Sequence, residues 1–458
     1  MSGSEIVKRG RGSEEEAETK RRKRRRLNVE NAAEEEAEAN KRRHLKVVFL
    51  GPSEAGKSTI VGQILLLTGQ VDDQEMQKYK EEAKENGREG CYLAYTMDTD
   101  EYERRRGTVQ VGKAMFDTSS CTFTILDVPG LCTGNDYRSI SPDVAVLVIS
   151  ARRDEFETGF QEGGEMEMVG QTREHVQIAR GLGVSSLIVV LNKMDDPTVM
   201  WSKDRYDEIK QEVLPFLESF RCGTINAFLP ISGLLGINMD KGMDEDVCPW
   251  WRGPTLFEAL DSVEFVRLAN PNGPFRMPIF SHYKDEETVV MGNVESGCIR
   301  EGDFLSLMPN QVPVEVIALY CDGDIVDQSG PRDSLIVYLR GIEDEDIVSG
   351  YVLSSLVQPI RAPNTFLAHL EFLKQPQNTI FYAGYKAVLH THAMVEECEI
   401  TEMIPPGVGV MYATDDDDDA ICRIQVDHGP ICMEAFSHRL GRFVLRCGRK
   451  TIAVGYVV

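Results

Sequence analysis

The chain has 458 residues, of which 42% are hydrophobic, enough for two or three domains with packed cores. No stretch reaches the roughly 20 apolar residues that span a bilayer, and no apolar signal segment precedes a cleavage site, so we expect a soluble intracellular protein without a membrane partner. The net charge of −24 argues against binding bare nucleic acid through the overall electrostatic field.

Residues 1 to 44 alternate acidic blocks with basic runs and contain few apolar side chains, which predicts a charged, disordered tail. Its basic run Lys20 to Arg26 is typical of a nuclear-localisation signal or an RNA-contact patch, and equally of a solvated charged segment. The sequence leaves these open. We expect a cytoplasmic protein with nuclear access through this run. The rest of the chain is strongly acidic, so no direct sequence-specific nucleic-acid binding is expected.

A phosphate-binding loop is predicted where the apolar run Leu45 to Leu50 ends. The loop follows the pattern GxxxxGK[ST] and consists of Gly51, Pro52, Ser53, Glu54, Ala55, Gly56, Lys57, Ser58 and Thr59. Glycines let backbone N–H groups close around phosphates, Lys57 supplies a cation, and Ser58 offers a hydroxyl to Mg²⁺. The motif predicts a nucleoside triphosphate site, although by itself it also fits an ordinary glycine-rich turn.

Two further strand ends favour the nucleotide interpretation. A β-rich segment from Cys121 ends in Asp127, which is followed by Gly130 in a D-x-x-G pattern. In such a pattern the carboxylate can hold the Mg²⁺ shell and the glycine N–H can sense a γ-phosphate. A second apolar run, Leu187 to Leu191, leads into the guanine-reading motif. That motif consists of Asn192, Lys193 and Asp195, and the carboxylate can accept both N–H donors of a guanine edge.

A weaker guanine-contacting loop, Ser232, Gly233 and Leu234, follows the strand-like run Ala227 to Ile231. The order of these motifs, each at the carboxyl end of a strand, predicts a GTP-binding α/β domain with a mainly parallel doubly wound sheet. Strands and amphipathic helices alternate as that fold requires, and we place the domain at residues 45–268.

The pattern changes after the breaker cluster Pro271 to Pro274, where short β-branched runs alternate with turns. This spacing predicts two small antiparallel β-barrels, at residues 274–362 and 363–458, divided by the proline-rich break near Pro359. The acidic run Asp415 to Asp419 raises a cation site, but no spaced glycine or bidentate Glu completes a calcium loop, so a solvated turn is favoured.

A GTPase domain followed by two β-barrels resembles the translational GTPases of the elongation factor Tu and elongation factor 1-alpha class. Several segments are more narrowly similar to the eukaryotic class II peptide-chain release factor, which we rank above the Pelota-partnered rescue GTPase and elongation factor 1-alpha. They include Phe116 to Asp127, Val146 to Arg152, Glu155 to Phe160, Gln171 to His175, Asn192 to Val199, Cys248 to Trp250, Gly341 to Ile347, Gly384 to His390 and Gly441 to Phe443.

The resemblance implies a monomeric GTP-binding translation factor that uses GTP/GDP and Mg²⁺. It implies that Ser58, Thr108 and Asp127 hold the metal and that Lys57, Thr108 and Gly130 serve hydrolysis. The implied partners are the ribosome and a tRNA-shaped protein that is class I release factor-like or Pelota-like, in termination or ribosome rescue.

The chain also departs from the family it resembles. Glu54 stands where the family's P-loop has Asp, and one residue is missing between Gly107 and Thr108. The family's water-positioning His is replaced by Leu131, in a switch II segment that is several residues shorter. Leucine cannot hydrogen-bond water, so we expect GTP binding with weakened hydrolysis, unless Asp136 or Arg138 compensates. The alternative function is a non-hydrolysing, GTP-bound adaptor in RNA surveillance; delivery of aminoacyl-tRNA is disfavoured by the acidic body.

Overall fold

The strand that precedes the P-loop lies inside a mixed six-stranded sheet. The structure is a computed structural model, and it describes residues 43–98, 103–104, 111–129, 140, 142–160, 170–219, 223–264, 270–321, 323–373, 380–404, 410–412, 419–435, 437, 439–448 and 450–458. The sheet comprises β1 (Arg43–Leu50), β2 (Gly112–Asp117), β3 (Cys121–Asp127), β4 (Val144–Ser150), β5 (Ser186–Asn192) and β6 (Thr224–Pro230).

Six α-helices belong to the same part of the described chain. They are α1 (Lys57–Leu67), α2 (Asp73–Glu85), α3 (Glu155–Phe160), α4 (Gln171–Gly181), α5 (Lys203–Ser219) and α6 (Leu256–Asp261), with a 3₁₀ helix at Glu89–Thr96. Apolar side chains of β1 point alternately into two cores on opposite faces of the sheet. A strand buried on both faces must be apolar throughout, which is the pattern of a doubly wound parallel sheet.

The order of strands in the sheet is β2-β3-β1-β4-β5-β6, with β2 alone antiparallel to its neighbour. The chain passes from β1 to β2 and β3 on one side of it, and then crosses over to β4 on the other side. The carboxyl end of β1 therefore lies at the point where the strand order reverses, and such crevices bind ligands in open α/β sheets. The predicted mainly parallel sheet is confirmed.

β1 begins two residues earlier than the sequence suggested. Arg43 and His44, which we assigned to the charged tail, pair in parallel with Cys121 and Thr122 of β3. The Arg43 guanidinium donates to the Asp261 carbonyl oxygen at 2.8 Å, and a ring nitrogen of His44 lies 2.7 Å from the Thr124 hydroxyl. Charged side chains masked this strand start, because their role is set by partners distant in sequence. Tail residues 1–42 lie outside the described residues.

The second half of the chain forms two closed six-stranded antiparallel barrels, as predicted. The first barrel joins β10-β15-β7-β8-β14-β11, and the second joins β16-β21-β19-β18-β22-β23. Their strands, with the short additional pairs, are β7 (Arg276–Lys284), β8 (Thr288–Asn293), β9 (Ile299–Arg300), β10 (Phe304–Met308), β11 (Val312–Cys321), β12 (Asp324–Ile325), β13 (Gln328–Ser329), β14 (Ser334–Arg340), β15 (Val352–Ser355), β16 (Thr365–Phe372), β17 (Ile380–Tyr382), β18 (Tyr385–Thr391), β19 (Met394–Ile404), β20 (Val410–Tyr412), β21 (Asp419–Val426), β22 (Arg442–Cys447) and β23 (Lys450–Val457).

Each barrel has its own hydrophobic core, and a small cluster that includes Val352, Ile360 and Cys432 lies between the barrels. Closure of the strands removes the sheet edges that would otherwise be open to pairing with other chains. Among the described residues, no helix is both long and apolar enough to cross a membrane. Apart from Asp419, the acidic run Asp415 to Asp419 lies outside the described residues.

The helix that follows the P-loop is held by close backbone packing, and Gly62 should be essential to it. A Cβ at Gly62 would lie 2.0 Å from the Leu93 carbonyl oxygen, so Gly62→Ala should lower the free energy of unfolding by about 1–3 kcal/mol. Gly90→Ala is the matched control, because nothing lies within 4 Å of a Cβ there. Thermal melting of both variants checks this, and equal melting temperatures would contradict the packing argument.

Candidate functional site

Two glycines of the P-loop are required by close approach of other groups. Gly51 has φ +141°, and a Cβ there would lie 2.2 Å from the Val148 carbonyl oxygen of β4. Gly56 has φ +97° and precedes α1; its Cβ would lie 2.3 Å from the Asn192 side-chain nitrogen. Any larger residue would be strained at these φ values and would clash. The loop is thus wedged between β4 and the end of β5.

Lys57 is buried, and its ammonium group reaches back along the loop. Nζ donates to the carbonyl oxygens of Gly51 at 2.8 Å and Pro52 at 3.0 Å. These bonds hold a cation at the amino end of α1, where partial positive charge from the helix already favours an anion. Ser53 and Glu54 are exposed at the tip of the loop, and Glu54 has φ 65°.

Two side chains of helix α4 accept hydrogen bonds from the P-loop backbone. The Gly51 N–H donates to Nδ1 of His175 at 2.8 Å, and the Ser53 N–H donates to Oε1 of Gln171 at 2.8 Å. The two acceptors are four residues apart, so they share one face of the helix. Burial, and then the charge of Lys57, lowers the pKa of His175 to about 3, so the imidazole is neutral and can accept the bond.

Asp127 lies at the end of β3 with its carboxylate completely buried. Among the described residues neither oxygen has a partner at hydrogen-bonding geometry, although the Ser58 hydroxyl and the Lys57 charge are near enough to lower its pKa. Burial outweighs them and raises the pKa to about 6. A buried carboxylate without a hydrogen-bond partner costs free energy unless a cation compensates it. Oxygen donors of this kind fit Mg²⁺.

The Asn192 amide joins three loops at the adjacent strand ends. Its Nδ2 donates to the Ala55 carbonyl oxygen at 2.9 Å, and its Oδ1 accepts from the Gly233 N–H at 2.9 Å. A Cβ on Gly233 would lie 2.6 Å from Ile60. The structure therefore brings the P-loop, the Asn192 segment and the Ser232 loop into direct contact.

Lys193 and Asp195 flank this junction. Lys193 has φ 62°, and its ammonium group pairs with Glu155 of α3 at 2.8 Å. Burial opposes ionisation of Glu155, but hydrogen bonds from Lys193 and Ser150 dominate and lower its pKa. Asp195 is half-buried and Leu234 is exposed at the rim. Thr59, within the first turn of α1, is half-buried.

The structure therefore brings most of the predicted nucleotide-binding residues to one edge of the sheet. The predicted switch residues Thr108, Gly130 and Leu131 lie outside the described residues, as do Asp136 and Arg138. The role of each of these residues stays a prediction.

Sequence reasoning missed the supporting roles of Gln171, His175 and Glu155. The sequence pointed to their segments only because these resemble the release factor family. The polar i, i+4 spacing of Gln171 and His175 was the available signal, because polar side chains repeated at that spacing share a helix face. Nothing in the sequence, however, indicates which loop that face contacts.

Two protein-family models match the chain: the elongation factor Tu GTP binding domain over residues 42–265 and the elongation factor Tu C-terminal domain over residues 359–458. The chain is 38% identical, over 437 residues, to the eukaryotic peptide chain release factor GTP-binding subunit of Kluyveromyces lactis, covering 91% of this chain and 60% of that protein. For the protein of the same description in Schizosaccharomyces pombe the values are 39%, 91% and 64%.

Among solved structures, the chain is similar to the S. cerevisiae Ski7 GTPase-like domain bound to GTP, with a TM-score of 0.74 at 19% identity. That alignment covers 93% of this chain and 99% of the other. The low identity makes this a likeness of fold alone. The chain spans about three fifths of the length of the curated relatives described above.

The buried carboxylate of Asp127 should make the free energy of unfolding depend on pH. Asp127→Asn should stabilise the nucleotide-free protein, and the gain should be larger at pH 8 than at pH 5. Between its ordinary pKa of 3.8 and the folded pKa of about 6, the folded state keeps a proton that the unfolded state releases. Wild-type stability therefore falls as pH rises through that window, by an amount on the order of 1–3 kcal/mol.

Thermal melting of both proteins at the two pH values measures the difference. Asp196→Asn is the control, because hydrogen bonds from Thr198 lower the pKa of that carboxyl; it should give no stabilisation at pH 8. If Asp127→Asn stabilises the protein equally at pH 5 and pH 8, the raised pKa of Asp127 is contradicted.

Proposed function

We infer that the chain belongs to the elongation factor Tu class of translational GTPases, in the family of the GTP-binding subunits of eukaryotic peptide chain release factors. We propose that it binds GTP and GDP with Mg²⁺ at the P-loop edge of the sheet. The observation that carries the proposal is the Asn192 amide, which locks the P-loop to two predicted guanine-contacting loops. Three segments distant in sequence thus meet at one edge of the sheet, beside the point where the strand order reverses.

The residues assigned to the nucleotide have distinct tasks. The P-loop backbone and Lys57 would hold the phosphates, with Lys57 already restrained by two carbonyl oxygens. The Asp195 carboxylate would accept the two N–H donors of guanine, while the loop Ser232 to Leu234 would cover the base. Ser58 and Asp127, together with Thr108, would hold Mg²⁺, which on binding would neutralise developing charge on the phosphates.

We further propose that the chain acts with a tRNA-shaped protein partner, class I release factor-like or Pelota-like, on the ribosome in termination or rescue. Support comes from its similarity to proteins described as peptide chain release factor GTP-binding subunits. The two closed barrels supply the surfaces on which such a partner would dock. The excess of 74 acidic over 50 basic residues disfavours direct binding of tRNA.

A second candidate is a GTP-bound adaptor in RNA surveillance that hydrolyses its nucleotide slowly or not at all. Leu131 favours it, because an apolar side chain at the position of the family's His cannot orient the attacking water. Binding and hydrolysis depend on different residues here. The residues Lys57, Ser58, Asp127, Asn192 and Asp195 would suffice for a nucleotide and Mg²⁺ site, so loss of hydrolysis need not impair binding.

Guanine selectivity tests the site itself. The purified protein should bind GDP and GTP far more tightly than ATP, because Asp195 would face an adenine edge that lacks guanine's two donors. Asp195→Asn should shift the preference toward xanthine nucleotides, whereas Asp196→Asn, one residue along, should not. Isothermal titration measures these affinities, and equal affinity for ATP and GTP in the wild type would overturn the guanine assignment.

The hydrolysis proposal is tested at position 131. Intrinsic hydrolysis should be slow and ribosomes should stimulate it little, since loss of a water-positioning group commonly costs about 10²- to 10³-fold in rate. Leu131→His should raise the single-turnover rate, and Leu131→Ala, which removes bulk without adding a hydrogen-bonding group, should not. Wild-type hydrolysis on ribosomes as fast as that of a release factor GTPase with His at this position would refute weakened hydrolysis.

A further inference from the structure

Helix α4 contacts two parts of the molecule with neighbouring faces. One face carries Gln171 and His175, which accept the N–H groups of Ser53 and Gly51 in the P-loop. The next face packs on β22 and β23 of the second barrel. There is little room between helix and barrel, because a Cβ on Gly181 would lie 2.2 Å from Val444.

Polar bonds join the helix to the barrel at two positions, Glu174 and Arg180. The Glu174 carboxylate lies 3.1 Å from the guanidinium of Arg446 and accepts from the Thr451 hydroxyl at 2.9 Å. The Arg446 side chain is only 6% exposed and that of Glu174 is 19% exposed, so water screens the pair weakly. At the last turn, Arg180 pairs with Glu371 of β16.

Glu174 immediately precedes His175, and Gln171 lies one turn earlier. A rigid helix cannot move one of these residues without the others, since its backbone bonds link every residue to the next turn. A shift of the helix on the barrel would therefore move both acceptors away from the P-loop N–H groups. The Gly51 N–H would then need another partner at a buried position, whereas the Ser53 N–H, at the exposed tip of the loop, could turn to water.

We propose that Gln171 and His175 are positioning residues for the P-loop, and that docking of the second barrel on α4 sets their position and so tunes nucleotide affinity. This inference rests on the proposed nucleotide site. Because coupling between two equilibria is reciprocal, a bound nucleotide should in turn strengthen the docking of the barrel. Neither acceptor touches nucleotide; both act through the backbone of Gly51 and Ser53.

The test weakens the barrel contact without altering the P-loop. Glu174→Gln removes the charge that pairs with Arg446, and Thr451→Val removes only the hydroxyl while nearly conserving volume. Each should weaken GDP binding, by about five- to tenfold for Glu174→Gln and less for Thr451→Val, chiefly through faster dissociation. Fluorescent GDP titration and stopped-flow chase with full-length protein give both quantities.

Glu434→Gln is the matched control. Glu434 pairs with the buried Arg276 at 3.1 Å across the interface between the two barrels, and within the described chain its carboxylate forms no hydrogen bond or ion pair with α4. It should leave GDP affinity within about twofold of wild type. The proposal fails if Glu174→Gln and Thr451→Val change affinity no more than this control does.

A second readout does not depend on nucleotide. Hydrogen–deuterium exchange of the nucleotide-free protein should accelerate in the peptide that covers residues 51–56 in Glu174→Gln and Thr451→Val, but not in Glu434→Gln. If hydrogen–deuterium exchange at residues 51–56 is unchanged, coupling between the barrel contact and the P-loop is refuted, whether or not nucleotide binds. If exchange is faster but neither GDP nor GTP binds, the coupling is supported and only the proposed function is refuted.

A double-mutant cycle tests the route. If the barrel acts through the acceptors, Thr451→Val should have a smaller effect on exchange and affinity once Gln171→Leu has removed the acceptor for Ser53. Full additivity of the two substitutions would show that the barrel contact reaches the P-loop by some route other than Gln171.

Discussion

The side-chain amide of Asn192 is the interaction on which the site depends. One amide satisfies two buried backbone groups, the Ala55 carbonyl oxygen and the Gly233 N–H, which belong to two loops distant in sequence. Buried backbone groups must be paired, so the amide fixes the distance between the loops as well as closing them. Gly56 and Gly233 lack side chains for the same reason: a Cβ on either would crowd the amide. The geometry of the predicted phosphate and base regions is thus set together.

The charges at the P-loop edge of the sheet suit the nucleotide and Mg²⁺ that we propose to bind there. Lys57 is bonded to loop carbonyls, His175 stays neutral with a pKa of about 3, and the Asp127 carboxylate is buried with a pKa raised to about 6. A core selected for stability alone would not keep, at a strand end, a buried carboxylate whose oxygens have no partner at hydrogen-bonding geometry among the described residues. Local rules of folding are commonly broken at functional sites, and the cost is offset when the ligand binds.

Much of this arrangement could be predicted because its signals are local. Apolar runs ending in Gly51, Asp127 and Asn192 give strands with chemistry at their carboxyl ends, and parallel pairing brings those ends together. The second half was predictable from turn spacing. Gln171, His175 and Glu155 were not, because their importance comes from contacts more than 30 residues away in sequence. The start of β1 failed for the same reason, since Arg43 finds its partners about 220 residues away.

Lys46, near the midpoint of β1, links the strand that leads to the P-loop to the two barrels. The Lys46 N–H donates to Asp143 at 2.8 Å, and its ammonium group donates to Asn293 of the first barrel at 3.2 Å. Asp143 also pairs with Arg332 of the first barrel and lies 3.6 Å from Arg439 of the second. Burial and the charge of Arg439 lower the pKa of Lys46 to about 8. The strand that leads to the P-loop is thus linked to both barrels near its midpoint, through Lys46 and Asp143. Any rotation of the barrels must be transmitted to, or resisted by, the element that carries the phosphate-binding loop.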